Sequence, residues 1–131
     1  MMALSIHPEF AWDIFTGDKT IEYRSWQTNY RGPLLICATA NKKRGYISGH
    51  AMCVAYLEDI IMYGPHDYGW QLAPFTEGKS YHIEPFPVKG QLKLFSVDDN
   101  KIHRVPWKWQ YDLNSKVAQQ WFAKVMAPLI Y

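Results

Sequence analysis

Two short helical patterns, one near each end of the chain, enclose a run of short strand-like segments broken by glycine and proline. The first begins at Pro8, a residue suited to the first helical turn, and ends at Gly17. The second runs from about Asn114 to Met126, with Asn114 or Ser115 as its N-cap. Because the strands do not alternate regularly with helices, a doubly wound parallel sheet is disfavoured. We predict an α+β fold with a small, mainly antiparallel and partly closed sheet.

The strand-like segments are rich in β-branched, aromatic and other apolar residues. They comprise residues 3–6, 20–26, 34–38, 50–57, 70–73, 81–83 and 92–97. The segment 34–38 is apolar throughout, which is typical of a strand buried on both faces. The density of glycine and proline predicts a loop from Tyr63 to Gly69. Pro85, Pro87 and Gly90 predict a break in the chain before residue 92.

Length and charge narrow the class of protein. The chain of 131 residues corresponds to one domain, residues 1–131. Its formal net charge is +2, so affinity for nucleic acid would have to come from a local cationic patch. The five histidines are scattered without metal-ligand spacing, and we expect no metal and no cofactor.

Cys37 and Cys53 lie in apolar runs and have no further cysteine or histidine at zinc-ligand spacing. We expect buried, reduced thiols, with a disulfide as the alternative. The chain has no basic N-terminal region followed by an apolar stretch, and no apolar run approaches about 18 residues. These features predict a cytoplasmic protein that does not associate with a membrane.

The richest polar chemistry lies just after the first helix. Lys19 follows the glycine turn, and strand alternation gives Glu22, Arg24 and Trp26 the same face. A lysine here would hold a phosphate as a point charge, an arginine would offer a planar fork, and a tryptophan would stack on a base. The structural alternatives are a solvated lysine, a half-buried Glu22–Arg24 ion pair and a tryptophan packed in the core.

The residues of this stretch resemble the motif of the ASCH domain family, which belongs to the PUA-like superfamily. That motif is a glycine, one residue, a lysine, four residues and an arginine, placed after the first helix. Here these residues are Gly17, Lys19 and Arg24, and the flanking residues 5–9 and 29–34 resemble the family as well.

Two later segments extend the resemblance. Residues 69–72 and 83–90 resemble the closing strands of bacterial ASCH proteins. The resemblance covers about residues 3–97, and residues 98–131 form a C-terminal extension that contains the last helix. It implies a small PUA-like β-barrel with the early helix beside it.

The resemblance also implies a cleft between helix and barrel that holds Lys19 and Arg24. PUA-like relatives bind RNA or modified nucleosides, so it implies an RNA or nucleoside-like ligand. Aromatic residues near the motif would supply stacking surfaces. The residues that we expect to bind the ligand are Lys19, Glu22, Arg24, Trp26, Tyr30 and Trp70.

Some ASCH members resemble enzymes, either ribonucleases or amidohydrolases that remove an acetyl group from cytidine. In that alternative Lys19 is the base or nucleophile, which requires its neutral amine, and Glu58 assists it. The amidohydrolase branch carries a threonine three residues after the lysine. Here that position is Glu22, and Thr20 directly follows the lysine, which argues against that deacetylation.

Two further segments combine cations or aromatic rings. Residues 42–44 form a loop of three cations, either solvated or in contact with RNA. Residues 101–111 interleave basic residues with Trp107 and Trp109, a mixture that single-stranded nucleic acid favours. The alternatives for this second segment are a strap held across the sheet by the last helix, or the partner surface of a non-catalytic interaction module.

Overall fold

In the computed structural model, which describes residues 1–107 and 115–131, the first helix, α1, spans Pro8–Thr16. As predicted, Pro8 lies in its first turn and Gly17 ends it. Gly17 has a φ of 87°, a left-handed conformation that glycine adopts without steric cost, and its N–H donates to the carbonyl of Ile14. This turn reverses the chain and delivers Lys19 to the start of the second strand.

Seven strands form one sheet. They are β1 (Met2–Ile6), β2 (Ile21–Arg24), β3 (Gly32–Ala38), β4 (His50–Gly64), β5 (Asp67–Leu72), β6 (Tyr81–Pro87) and β7 (Leu94–Ser96). The hydrogen-bonded order is β2-β5-β4-β3-β1-β7, and β6 pairs with β4 beside this path. Only β1 and β3 pair in parallel among the described strands. The predicted α+β class with a mainly antiparallel sheet is therefore confirmed.

The sheet is open. Strands β2 and β7 stand at opposite ends of the hydrogen-bonded order, and no ladder within residues 1–107 and 115–131 joins them. The closed barrel that the resemblance implies is therefore not formed by these ladders. Because β2 is an end strand, its side chains lie at the rim of the sheet, beside the turn that follows α1.

The prediction of a loop from Tyr63 to Gly69 is wrong. Strand β4 continues to Gly64 and β5 begins at Asp67, so the connection is a tight hairpin turn in which His66 adopts a φ of 58°. Gly69 lies inside β5, where an added Cβ would lie 2.5 Å from the Tyr63 ring. The glycine thus permits a close approach within a strand and does not mark a loop.

The prolines near residue 86 do not interrupt the chain either. Strand β6 includes both Pro85 and Pro87, and its ladder with β4 shifts register between the partners of Ala51 and Cys53, where Pro85 lies. A proline lacks the backbone N–H, so a register shift and a strand end are positions where it costs no ladder bond. The predicted break is confined to the residues between β6 and β7.

The C-terminal helix begins after Ser115, whose side chain accepts a hydrogen bond from the N–H of Ala118. This helix, α2, spans Lys116–Trp121 and continues as a π-helical turn, Phe122–Met126. Asn114, the other predicted cap, lies outside the described residues. Trp121 packs in the same apolar cluster as Ala11 of α1, so both helices cover one face of the sheet.

The interior also holds both cysteines. Cys37 on β3 and Cys53 on β4 are buried and unbridged, as expected for reduced thiols. Burial raises the pKa of Cys37 to about 12, and it raises the pKa of Cys53 as well. No helix of residues 1–107 and 115–131 is long and apolar enough to cross a lipid bilayer.

Candidate functional site

Glu22 lies at the centre of the polar cluster on β2. Its carboxylate Oε1 is 3.5 Å from Nζ of Lys19, and Oε2 is 4.0 Å from Nη1 of Arg24. The residue is only 4% exposed. Burial raises the pKa of Glu22, although Lys19 and Arg24 act in the opposite direction. One buried carboxylate therefore positions two cations of the family-like motif.

Strand alternation explains this arrangement. Glu22 faces inward opposite Trp70 in the β2–β5 ladder, whereas the next residue, Tyr23, is opposite Gly69 and is 56% exposed. Arg24 then returns to the side of Glu22, and the predicted common face of these two residues is confirmed. Lys19 precedes the strand, in the turn after α1, and reaches Glu22 from the helix side.

Arg24 opens into a groove of about 570 Å³ between the end of β1, the residues after β3 and the connection from β6 to β7. We call this the Arg24 groove. Its cations are Arg24, Lys89 and Lys93, and no acidic residue of the described chain lines it. Ser5 and Thr39 add hydroxyl groups to the lining. The groove is therefore a cationic depression with neutral hydrogen-bonding groups.

The two hydroxyls are notable for their lack of partners. Oγ of Ser5 and Oγ1 of Thr39 are buried, and neither makes a hydrogen bond within the described part of the chain. Gly90 brings the connection between β6 and β7 close to β1, since an added Cβ would lie 2.5 Å from the Ser5 hydroxyl. Buried polar atoms usually have partners, so these two hydroxyls are unsatisfied groups beneath the surface of the groove.

Trp26 lies beside the groove in a half-buried position. The guanidinium carbon of Arg24 and Nζ of Lys93 are each 5.9 Å from its ring centroid. Both distances are within the range of cation–π attraction. An indole ring with two flanking cations offers a stacking surface next to anion-binding groups.

Lys93 has an unusual backbone. Its φ of 57° is left-handed, which is uncommon for a residue other than glycine and costs about 1–3 kcal/mol where it occurs. The preceding residue, Leu92, is 94% exposed. The strained residue brings its ammonium to Trp26 and the groove, although sequence reasoning gave Lys89 and Lys93 no role. Long-range pairing of β7 with β1 places them here, and no local pattern signals it.

Lys19 opens into a different hollow, formed by residues of α1 and β2. Its Nζ lies 5.0 Å from the ring centroid of Phe10 and 5.4 Å from that of Tyr23. Asp13 and Asp18 also line this hollow, so its two acidic residues outnumber its one cation. The structure therefore places Lys19 and Arg24 in separate depressions on either side of Glu22, and only the Arg24 groove favours an anion.

Trp70 and Tyr30 are placed as supports. Trp70 is fully buried, and its indole N–H donates to the carbonyl of Trp26. A ligand cannot reach this ring, so Trp70 belongs to the core and not to the lining that we expected. The Tyr30 hydroxyl donates to the carbonyl of Pro33, and its ring packs on the main apolar cluster. Both residues hold β2 and its following turn against the sheet.

Glu58 is not brought together with Lys19. It lies on β4, which β5 separates from β2, and its exposed carboxylate is 3.9 Å from Nζ of Lys79. The predicted catalytic pair is therefore not assembled in this structure. Within the described ranges, no three His, Cys, Asp or Glu side chains are grouped so that they could hold a metal ion.

The remaining basic and aromatic segments have structural contacts. In the basic loop 42–44, Nζ of Lys43 lies 3.4 Å from Oε1 of Glu9. Trp107 meets Trp121 edge to face at 5.5 Å, which ties this segment to α2. Lys108 and Trp109 lie outside the described residues. The contact of Trp107 agrees with the strap interpretation.

The sheet is open and mainly antiparallel, and helical segments cover one of its faces. Together with the Gly-Lys-Arg motif at the first helix–strand junction, this fold defines a PUA-like α+β domain. The family model of the ASCH domain matches residues 4–126. The chain therefore belongs to the ASCH domain family. The matched range includes most of the segment after Asp98 as well as the motif.

A solved structure agrees with this assignment. The crystal structure of ASCH from Zymomonas mobilis is similar, with a TM-score of 0.57 and 17% sequence identity over 76% of this chain and 89% of that chain. At this identity the similarity shows the fold alone. No protein with a curated description matches the sequence significantly.

Proposed function

We propose that this ASCH domain binds RNA or a phosphorylated nucleoside in the Arg24 groove. The observation that carries the proposal is the charge of the groove. Arg24, Lys89 and Lys93 line it without an acidic residue among the described ones, in a chain whose formal net charge is only +2. Such a local excess of positive charge attracts phosphates whatever the net charge of the protein.

The roles follow from side-chain chemistry. The planar guanidinium of Arg24, held by Glu22, presents parallel N–H donors to a phosphate, and Lys93 adds a point charge. Trp26 supplies a ring on which a base stacks, a contact worth about 1–3 kcal/mol per base.

Binding is favoured over hydrolysis by the state of Lys19. A lysine base or nucleophile needs a neutral amine, whereas Lys19 is engaged in an ion pair with the buried Glu22. Its proposed helper, Glu58 on β4, is instead paired with Lys79. Membership of a fold family does not by itself assign a reaction. The geometry therefore supports a binding domain, in which Lys19 acts by fixing Glu22.

The direct test is to measure the binding of labelled single-stranded RNA to wild-type protein and to Arg24→Met at several salt concentrations. The variant should bind more weakly, and the slope of log K against log salt should become shallower by about 0.7, the loss of one phosphate contact. Lys124→Met, on the exposed C-terminal segment, is the matched control and should bind as the wild type does. Unchanged affinity and slope in Arg24→Met would refute the proposal.

A further inference from the structure

The Arg24 groove does not end at the connection between β6 and β7. A second depression of about 210 Å³ lies on the other side of this connection, against β7 and the short 3₁₀ turn Asp99–Lys101. Lys89 and Gln91 line both depressions, and Lys101 lines the second one. The two hollows therefore adjoin at Lys89.

We propose that the two depressions form one continuous track for single-stranded RNA, with phosphates passing from Arg24 and Lys93, over Lys89, to Lys101. We call it the phosphate track. The inference rests on the proposed function and deepens it, because it identifies the ligand as an oligonucleotide and not as a single nucleoside.

Charge supports the track. Its two depressions are lined by the cations Arg24, Lys89, Lys93 and Lys101 and, among the described residues, by one acid, Asp98. The Asp98 carboxylate accepts a hydrogen bond of 3.0 Å from the backbone N–H of Asn100, which partly satisfies its charge. The excess of positive charge therefore continues past the Arg24 groove.

The lysines of the track are also free of carboxylate partners. Across residues 1–107 and 115–131, no salt bridge involves Lys89, Lys93 or Lys101. By contrast, Lys43 and Lys79 each pair with a glutamate. An unpaired surface ammonium binds a phosphate without first breaking an ion pair, so it contributes its full share of released counterions.

The base of the track is firm enough to hold these cations in place. The N–H of Val88 donates to the carbonyl of Gly49 at 3.0 Å, just before Lys89. Phe95 of β7 is buried and lines the second depression. The N–H of Lys101 donates to the carbonyl of Asp98 in the 3₁₀ turn. The Lys89 end is thus tied to the residue before β4, Phe95 belongs to β7 itself, and the Lys101 end is held within its own 3₁₀ turn.

The track predicts that RNA length decides which lysines matter. A single nucleotide occupies the Arg24 groove alone, whereas a longer strand also reaches Lys101. Each phosphate contact adds about 0.7 to the steepness of log K against log salt for single strands. The oligonucleotide should therefore show a steeper salt dependence than the nucleotide, and Lys101 should account for part of the difference.

The test compares adenosine monophosphate with a labelled single-stranded oligoadenylate of about eight nucleotides, within the usual range of single-strand sites. Lys101→Met should weaken binding of the oligonucleotide and make the slope of log K against log salt for this probe shallower by about 0.7. The affinity for the mononucleotide should stay unchanged. The control is Lys116→Met, which replaces an exposed lysine at the start of α2 and should change the affinity for neither probe. Equal melting temperatures establish that the variants are folded.

The outcomes separate the two proposals. If Arg24→Met weakens both probes but Lys101→Met weakens neither, the groove binds its ligand and the track is wrong. If neither probe binds at low salt, or Arg24→Met changes nothing, the proposed function and the track both fail. If an octaglutamate peptide binds as tightly as the RNA and with the same dependence on Lys101, the surface is an acidic-peptide site and the RNA track is overturned.

Discussion

The indole N–H of Trp70 donates a hydrogen bond of 3.2 Å to the backbone carbonyl of Trp26, and the two rings meet edge to face with centroids 4.8 Å apart. Trp70 is fully buried, whereas Trp26 is half-buried with Arg24 and Lys93 near its ring. The two tryptophans therefore have different tasks. Trp70 positions the backbone, and Trp26 presents a ring beside the groove.

This division predicts opposite phenotypes for the two tryptophans. Trp70→Ala should lower the free energy of unfolding by about 3–5 kcal/mol, because it removes a large core side chain. Trp26→Ala should cost less stability and instead weaken RNA binding by about 1–3 kcal/mol, the value of one stacked base. Urea unfolding and anisotropy titrations measure both quantities. A Trp70→Ala protein as stable as the wild type would contradict the assignment of this residue to the core.

The buried Glu22 predicts a pH dependence of stability. Burial raises its pKa above the ordinary 4.5, so the folded state holds the proton more tightly than the unfolded state. The stabilisation is complete below the ordinary pKa and is lost as pH rises through the folded value. The free energy of unfolding of the wild type minus that of Glu22→Gln should thus be larger near pH 4 than near pH 7.

Denaturant titrations at the two pH values test this, with the exposed Glu84→Gln as the matched control. At both pH values this control should have the same free energy of unfolding as the wild type. A stability difference between the wild type and Glu22→Gln that instead increases with pH would contradict this prediction. The ion pairs with Lys19 and Arg24 would then outweigh burial.

Lys19 and Arg24 should differ in their contribution to RNA binding. Lys19→Met should weaken binding less than Arg24→Met, and it should leave the salt slope unchanged. The reason is that Lys19 shares its hollow with Asp13 and Asp18 and acts through Glu22. Salt titrations of both variants measure the difference. A slope that becomes shallower by about 0.7 in Lys19→Met would place a phosphate on Lys19 instead.

The cysteines should be inert in the folded protein. Burial raises the pKa of Cys37 to about 12, and Cys53 is fully buried, so neither presents a thiolate near neutral pH. Alkylation by iodoacetamide, followed by mass spectrometry, should be slow in native buffer and rapid in denaturant. Fast alkylation of the native protein would contradict the burial of these residues.

Local patterns predicted much of the fold. The bounds of α1, the turn at Gly17 and the common face of Glu22 and Arg24 all follow from helical spacing, glycine chemistry and strand alternation. Local patterns did not predict the hairpin turn at His66 or the proline-containing strand β6. Pairing with β4 compensates for residues that locally favour loops.

The site was harder to predict than the fold. Sequence reasoning put Lys19 and Arg24 in one cleft, but the turn after α1 leaves Lys19 on the helix side of Glu22. Lys93 and Thr39 are distant from Arg24 in the chain, and only the sheet order brings them to one groove. A pattern along the sequence cannot report such a contact between separate strands.

The most direct measurement of the central claim is an NMR titration of the labelled protein with short single-stranded RNA. Binding in the Arg24 groove predicts shifts of the Trp26 indole N–H and of the backbone amides of Thr39 and Gly90, which surround the groove. The amide of Phe10, in the hollow of Lys19, should move little. Shifts confined to residues 42–44, with the groove unaffected, would contradict the account.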